Sequence, residues 1–317
     1  MNHKNHLIIT GLVFFVLIFS GCASNKVYTT QQVSQGTLKG LKDHSHFVEV
    51  DSQRMHYIDI GEGEPMILIH GWFCSGSYWK REFPLLKGQY HIYAPDMIGH
   101  GISYKPASHE PRLTTANQAK WIIGFMDALG IDKAYIVGHS MGGEVASRVA
   151  IMAPQRVKKL VLIDAVGLRN NPSDLPWYIR AGRKLHLEAP ASGMMNRTTL
   201  KMGVSMFMYY KENKVDKEFI DDIILTTAGS KKDRACLLKV TREGLFQSFV
   251  DEDLKALDTP TRCIWGRYDK VVPLKLGKEF DRLIPVSDLV VIDNAAHMVP
   301  WERPKEISMA ISDFCVD

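Results

Sequence analysis

Three residue types used in nucleophilic acyl transfer occur in this chain in a consistent order: a glycine-flanked serine, an acid and a histidine. The serine lies in Gly138-His139-Ser140-Met141-Gly142, a G-x-S-x-G pattern extended by Gly143. A nucleophile at a sharp strand-to-helix turn needs strained backbone, and small neighbours make that turn possible. A serine hydroxyl is a weak nucleophile until a base takes its proton. Among twelve histidines, His297 in Asn294-Ala295-Ala296-His297-Met298-Val299-Pro300 is the one that follows both serine and acid, and it is the expected base. Asp269, in Trp265-Gly266-Arg267-Tyr268-Asp269-Lys270, is the expected acid, holding the second imidazole nitrogen and fixing the tautomer. Asp164 is its rival. Acyl transfer also needs two backbone N–H groups aimed at the developing oxyanion. Met141 is expected to supply one and Trp72, in His70-Gly71-Trp72, the other. His70 itself reads as a structural histidine bonded to loop backbone. This chemistry requires no metal and no organic cofactor.

These residues must be presented by strand ends. Residues 47–50 and 55–60 alternate around Asp51-Ser52-Gln53-Arg54, the pattern of a β-hairpin. Solid apolar runs follow at 66–69, 91–94, 134–137 and 160–163, which suits strands buried on both faces. Helical periods lie between them: 115–129 places Ala116, Ala119, Ile122, Ile123 and Met126 on one side. The segment after Ser140 groups Val145, Ala146, Val149 and Ala150. Alternating strand and helix predicts a parallel sheet with right-handed crossovers. The rhythm stops near Leu168 and resumes near Asp258, with a strand at 263–265, a helix near 274–283, a strand at 289–292 and a last helix near 305–314. A helical insert of about 90 residues therefore interrupts one sheet and is expected to cover its carboxyl edge. Its apolar stretch holds Met202, Val204, Met206, Phe207 and Met208, which either packs on the core or lines an acyl-chain pocket.

With these motifs in place, the chain from about residue 47 to its C-terminus resembles the α/β-hydrolase superfamily, in which serine, acid and histidine follow one another in this order. Asp96-Met97-Ile98-Gly99-His100-Gly101 is a further turn of that kind, with Asp96 and His100 read as structural. The resemblance implies an α/β fold, a mostly parallel sheet flanked by helices with a helical cap insertion. Residues 46–167 and 259–317 would form the core and 168–258 the cap. The chain looks most like capped bacterial esterases and lipase-like enzymes, which implies a serine hydrolase of carboxylic esters with a small-molecule or lipid ester as substrate. Haloalkane dehalogenases and epoxide hydrolases carry Asp where this chain has Ser140. Proline iminopeptidases carry Gly-Gly-Pro-Gly where this chain has Gly71-Trp72-Phe73-Cys74. Carbon–carbon bond hydrolases share Ser140-Met141-Gly142-Gly143, but have Asn and Trp at the positions of His139 and Met298. They remain the alternative, beside a non-catalytic binding protein of the same fold.

The chain has 317 residues, 45% of them hydrophobic, enough for one large core. A formal charge of +4 without a Lys/Arg block offers no footprint for nucleic acid. At the N-terminus, Lys4 precedes an apolar run over residues 7–19 and then Ser20-Gly21-Cys22. A basic start, a short apolar stretch and small residues describe an export signal over 1–21. Phe19-Ser20-Gly21-Cys22 resembles a bacterial lipobox, which implies a lipid on Cys22, a membrane-anchored protein facing the periplasm and, with Ala23 next, sorting to the outer membrane; the alternative is an ordinary cleaved signal with Cys22 incidental and a periplasmic or secreted protein. Residues 22–45 read as a tether. Pairing among the remaining Cys74, Cys236, Cys263 and Cys315 stays open, with Cys263, in an apolar run, reading as a buried thiol.

Overall fold

The turn residues Asp51 and Ser52, both at positive φ, close a hairpin between β1 (Ser45–Val50) and β2 (Gln53–Ile60). In this computed structural model, which describes residues 38–107, 110, 112–169, 197–227, 230–245 and 247–316, that hairpin forms one margin of the sheet. β2 pairs antiparallel with β4 (Tyr90–Pro95). From there the sheet is parallel: β4 beside β3 (Glu64–Ile69), then β5 (Ala134–His139), β6 (Val157–Ile163), β7 (Thr261–Gly266) and β8 (Ser287–Ile292). The chain steps from β3 to β4 on one side and then returns to place β5 on the other. That reversal opens a crevice at the carboxyl ends of β3 and β5, the place where open α/β sheets bind ligands.

The helices follow in chain order. α1 (Phe83–Leu86), α2 (Thr115–Ala128) and α3 (Met141–Met152) belong to the first half. Then come α4 (Arg197–Gly203), α5 (Lys217–Thr227), α6 (Lys231–Glu243) and α7 (Asp251–Leu254) within the insert. α8 (Leu274–Leu283), α9 (Val299–Glu302) and α10 (Pro304–Phe314) complete the chain. The Thr114 side chain caps α2 by accepting from the Asn117 N–H. Among the described residues the insert contains no strand, in line with its helical periods.

The solid apolar runs serve both faces of the sheet. Side chains alternate along a strand, so β3 sends Met66 and Leu68 to one cluster and Ile67 and Ile69 to the other. All four are fully buried, each burial worth about 1.5–3 kcal/mol. Trp79, Phe83, Trp301 and Ile311 fill the first cluster; Ile122, Phe125, Val145 and Phe280 fill the second. Leu38 and Leu41 are also buried in the first. The last part of the expected tether, residues 38–44, therefore packs onto the fold, because two leucines six and eight percent exposed anchor it and the His44 ring bonds the Asp59 carbonyl. The export signal, Cys22 and residues 22–37 lie outside the described residues. No helix among the described residues is long and apolar enough to cross a membrane.

Cys74, Cys236, Cys263 and Cys315 are all buried free thiols. Burial pushes the thiol of Cys236 up to about 11 and that of Cys315 up to about 12. Asp96 ties the turn after β4 to its neighbours. Its carboxylate takes the His56 ring N–H at 2.9 Å, the Gly76 N–H at 2.6 Å and the Ile102 N–H at 2.8 Å. Gly101, at φ 51°, passes so close that a Cβ there would lie 1.9 Å from an Asp96 oxygen. Burial alone would raise the carboxyl; the His56 partner, with His70 and the Gly76 N–H, outweighs it and holds Asp96 at about 2 instead of 3.8. The group is depressed in the folded state, so its contribution is complete above the unfolded value and is lost as pH falls through the folded one. Asp96→Asn is expected to lower unfolding free energy at neutral pH by about 2 kcal/mol, with the gap from wild type closing as pH falls from about 4 to about 2. Urea unfolding across that range is the check, and a pH-independent gap would contradict the assignment.

Candidate active site

The crevice at the sheet reversal is built from three loop ends. Ser140 stands between β5 and α3 with φ 54° and ψ −118°, an unfavourable backbone for any residue with a Cβ. Its N–H donates to the Ile163 carbonyl at 2.9 Å, and its carbonyl accepts from Gly143 and Val166. The glycines of the motif make this possible. A Cβ on Gly138 would meet the Gly142 carbonyl at 2.2 Å, and one on Gly142 would meet the Ile69 carbonyl at 2.3 Å. Gly71 brings the loop after β3 against the elbow, its hypothetical Cβ 3.2 Å from that of Ser140.

The three residues read from the sequence come together here, all buried. Ser140 Oγ is 3.0 Å from His297 Nε2, and His297 Nδ1 is 2.7 Å from Asp269 Oδ2. The other Asp269 oxygen accepts from the N–H groups of Val271 and Val272 at 2.7 and 2.9 Å. Those bonds fix the carboxylate so that one oxygen faces the imidazole. With Nδ1–H given to Asp269, Nε2 is left to accept the serine proton. Asp164 is nearby but differently engaged. One of its oxygens accepts from Gly266 N–H, and burial, reinforced by the Asp269 charge, pushes its carboxyl well above the usual range. It stands at φ 43°, directly after β6.

Trp72 and Met141 flank the elbow. Met141 opens α3, where the first N–H groups lack intrahelical acceptors. The loop carrying Trp72 is held by His70, whose Nδ1–H donates to the Gly71 carbonyl at 2.8 Å while Nε2 accepts from Met97 N–H at 3.1 Å. Burial lowers the His70 pKa and favours this neutral ring. Trp72 also reaches the insert, donating its indole N–H to Thr241 on α6.

His139 carries a role that its place in the motif does not announce. Its Nε2–H donates to the His297 carbonyl at 2.8 Å, and its ring stacks on Tyr78 at 5.1 Å. Burial, then the neighbouring His297, holds it well below the usual histidine range, so it stays a neutral donor. His139, Asp164 and His297 place one ligand-type atom each within 4.8 Å of one another. His297 already has both ring nitrogens engaged, one with Asp269 and one with Ser140, so a metal there would have to displace one of those bonds and the cluster fits a hydrogen-bonded site better than a metal centre.

The insert lies against this site. Met208, at the end of the π-helical turn Val204–Met208, accepts at its carbonyl from both His297 N–H and Met298 N–H. Glu302 accepts from Ala296, Tyr210 and Asn213. Neither contact has a signature in the sequence, since most of the partners are backbone groups. Of the apolar stretch in the insert, Val204 is buried in the core, Met202, Phe207 and Met208 are half-buried, and Met206 is exposed.

The family follows from the match of residues 64–304 to the alpha/beta hydrolase fold model. The chain is an α/β hydrolase. It is 30% identical over 268 residues to the uncharacterized hydrolase YugF of Bacillus subtilis (strain 168), covering 82% of this chain and 92% of that one. It is 29% identical over 289 residues to a 2-hydroxy-6-oxo-6-phenylhexa-2,4-dienoate hydrolase of Burkholderia cepacia, covering 85% and 96%. Among solved structures it resembles a meta-cleavage product hydrolase from Pseudomonas fluorescens IP01, with a TM-score of 0.70, 27% identity and coverage of 85% and 96%.

The elbow of this α/β hydrolase tolerates little added volume. Gly142→Ala is expected to cost about 1–3 kcal/mol, because the new methyl group must displace backbone at the end of β3. The denaturation midpoint reads this directly; an unchanged midpoint would mean the elbow yields more freely than its contacts imply.

Proposed function

We propose that this α/β hydrolase cleaves carboxylic esters by two-step acyl transfer at Ser140. The observation that carries the reading is the continuous line from Ser140 Oγ through the His297 ring to Asp269, with separations of 3.0 and 2.7 Å. Ser140 Oγ attacks the ester carbonyl as its proton passes to His297 Nε2. The N–H groups of Met141 and Trp72 take up the charge on the carbonyl oxygen. His297 then gives the proton to the leaving alkoxide, and the C–O bond to the alcohol breaks. Water, deprotonated by the same nitrogen, attacks the acyl-enzyme and releases the acid and Ser140. Asp269 supports the imidazolium at each stage without taking its proton.

A second reading is carbon–carbon bond hydrolysis, favoured by the 29% identical relative from Burkholderia cepacia, whose name assigns it a dienoate substrate. The same serine and histidine serve either chemistry. The ester reading is supported by His139 and Met298 at positions where the sequences of carbon–carbon hydrolases have Asn and Trp. It also agrees with the export signal read at the N-terminus. The half-buried Met202, Phe207 and Met208 suit an acyl chain, Met being adaptable to varied apolar shapes.

p-Nitrophenyl esters of increasing chain length, assayed beside a 2-hydroxy-6-oxo-dienoate, separate the two readings. Ester turnover with a chain-length optimum is expected, and dienoate turnover alone would overturn the proposal. Ser140→Ala is expected to abolish both ester turnover and labelling by a fluorophosphonate. Wild-type protein that resists the probe would instead be a binding protein.

The location of this chemistry is proposed from the N-terminal sequence: a lipid on Cys22 anchoring the enzyme to the outer membrane, facing the periplasm. Metabolic labelling with a fatty-acid analogue is expected to mark the wild type and not Cys22→Ala. Equal labelling of both would place any lipid elsewhere.

A further inference from the structure

The loop between β8 and α9 carries His297, and it is held from both the core and the insert, the core donating Tyr268 N–H to the Ala295 carbonyl at 3.0 Å. From the core, His139 donates to the His297 carbonyl. The N–H groups of His297 and Met298, however, both donate to the Met208 carbonyl, at 2.9 and 3.2 Å. The insert thus holds the peptide on which the imidazole is mounted.

Glu302 makes the second attachment. Its side chain is buried, and each oxygen has a different partner set. Oε1 accepts from Ala296 N–H at 2.8 Å, one residue before the histidine. Oε2 accepts from Tyr210 N–H at 2.7 Å and from the Asn213 side-chain amide at 2.6 Å, both in the insert. The same Asn213 amide donates to the Asn294 carbonyl at 2.9 Å, back in the histidine loop. One carboxylate therefore satisfies donors from two segments about 90 residues apart in sequence. A buried N–H left without an acceptor is costly, so neither segment moves freely without the other.

We propose that Glu302 is a positioning residue, coupling the insert segment 204–213 to the loop that carries His297, so that the imidazole reaches Ser140 only while that segment is docked. This rests on the serine–histidine–aspartate reading above. It makes the insert a structural part of the general base as well as a cover over the crevice. Other contacts between insert and core, such as Lys80 with Asp222, do not touch the histidine loop.

The test compares Glu302→Ala and Glu302→Gln with Lys80→Met, which loosens the insert elsewhere. Gln keeps the size of the side chain but has one acceptor oxygen. It therefore cannot satisfy Ala296 and Tyr210 together. Two readouts are needed. The first is the downfield proton resonance of His297 Nδ1–H in its bond to Asp269, which needs no turnover. It is expected to be protected from exchange in wild type and Lys80→Met, and broadened or lost in both Glu302 variants. The second is ester kinetics, where the Glu302 variants are expected to lose about tenfold or more in kcat with KM within about twofold, since a small misplacement of a catalytic group costs rate more than binding. If Glu302→Ala does not fold, Glu302→Gln with a native circular dichroism spectrum decides. A folded Glu302→Gln with an unchanged resonance and kcat overturns the proposal, as does an equal loss in Lys80→Met. Wild type without ester turnover, but with the resonance lost in Glu302→Gln, would reject the ester reading and retain the coupling.

Discussion

The backbone of Ser140 is the constraint around which the rest of the site is arranged. A residue with a side chain does not rest at φ 54° unless its surroundings hold it there. Here the hold is threefold. The Ile163 carbonyl takes its N–H, Gly143 and Val166 bond its carbonyl, and glycines on either side remove every Cβ that would collide. The gain is position: the hydroxyl stands at the head of α3, beside the loop after β3 and facing the loop after β8. The strand order that reverses at β3 and β5 brings those loops together before any side chain is considered.

Much of this was legible in the sequence, for a physical reason. Strands buried on both faces must be solid apolar runs, so β3 to β7 stand out. A serine at positive φ in a tight strand-to-helix turn needs glycines around it, so Ser140 stands out too. The order of serine, acid and histidine then follows from reading along the strand ends. The choice between Asp269 and Asp164 was less secure, because both sit at strand ends. The structure separates them by their partners: Asp269 accepts two backbone N–H groups and faces the imidazole, while burial and the Asp269 charge push the Asp164 carboxyl upward.

Other features had no signal to find. Glu302 bonds mainly backbone N–H groups, and backbone donors look the same at every position. His139 could be located within the motif but not assigned, since its bond to the His297 carbonyl depends on how β5 and the last loop meet in space. Leu38 and Leu41 lie in a stretch too polar to show a period, yet both are buried. Pattern reading detects repeated burial and misses single anchors.

The junction of the insert with the core has a consequence for how such a protein diversifies. The insert leaves after Gly167, and shortly before it rejoins the sheet Val250 donates its N–H back to the Gly167 carbonyl at 2.9 Å. Chain entering and leaving at one point can lengthen or shorten with little effect on the sheet, since loop closure depends only weakly on length. Such a neck favours exchange of the insert as a cassette. The attachment at Met208 and Tyr210 works against that freedom. A transplanted segment would have to bring its own acceptor for His297 N–H and its own donors for Glu302. Evolution at this neck is therefore free in sequence length but bound in geometry, and new specificities would be reached more readily by substitutions within the existing insert than by its wholesale replacement.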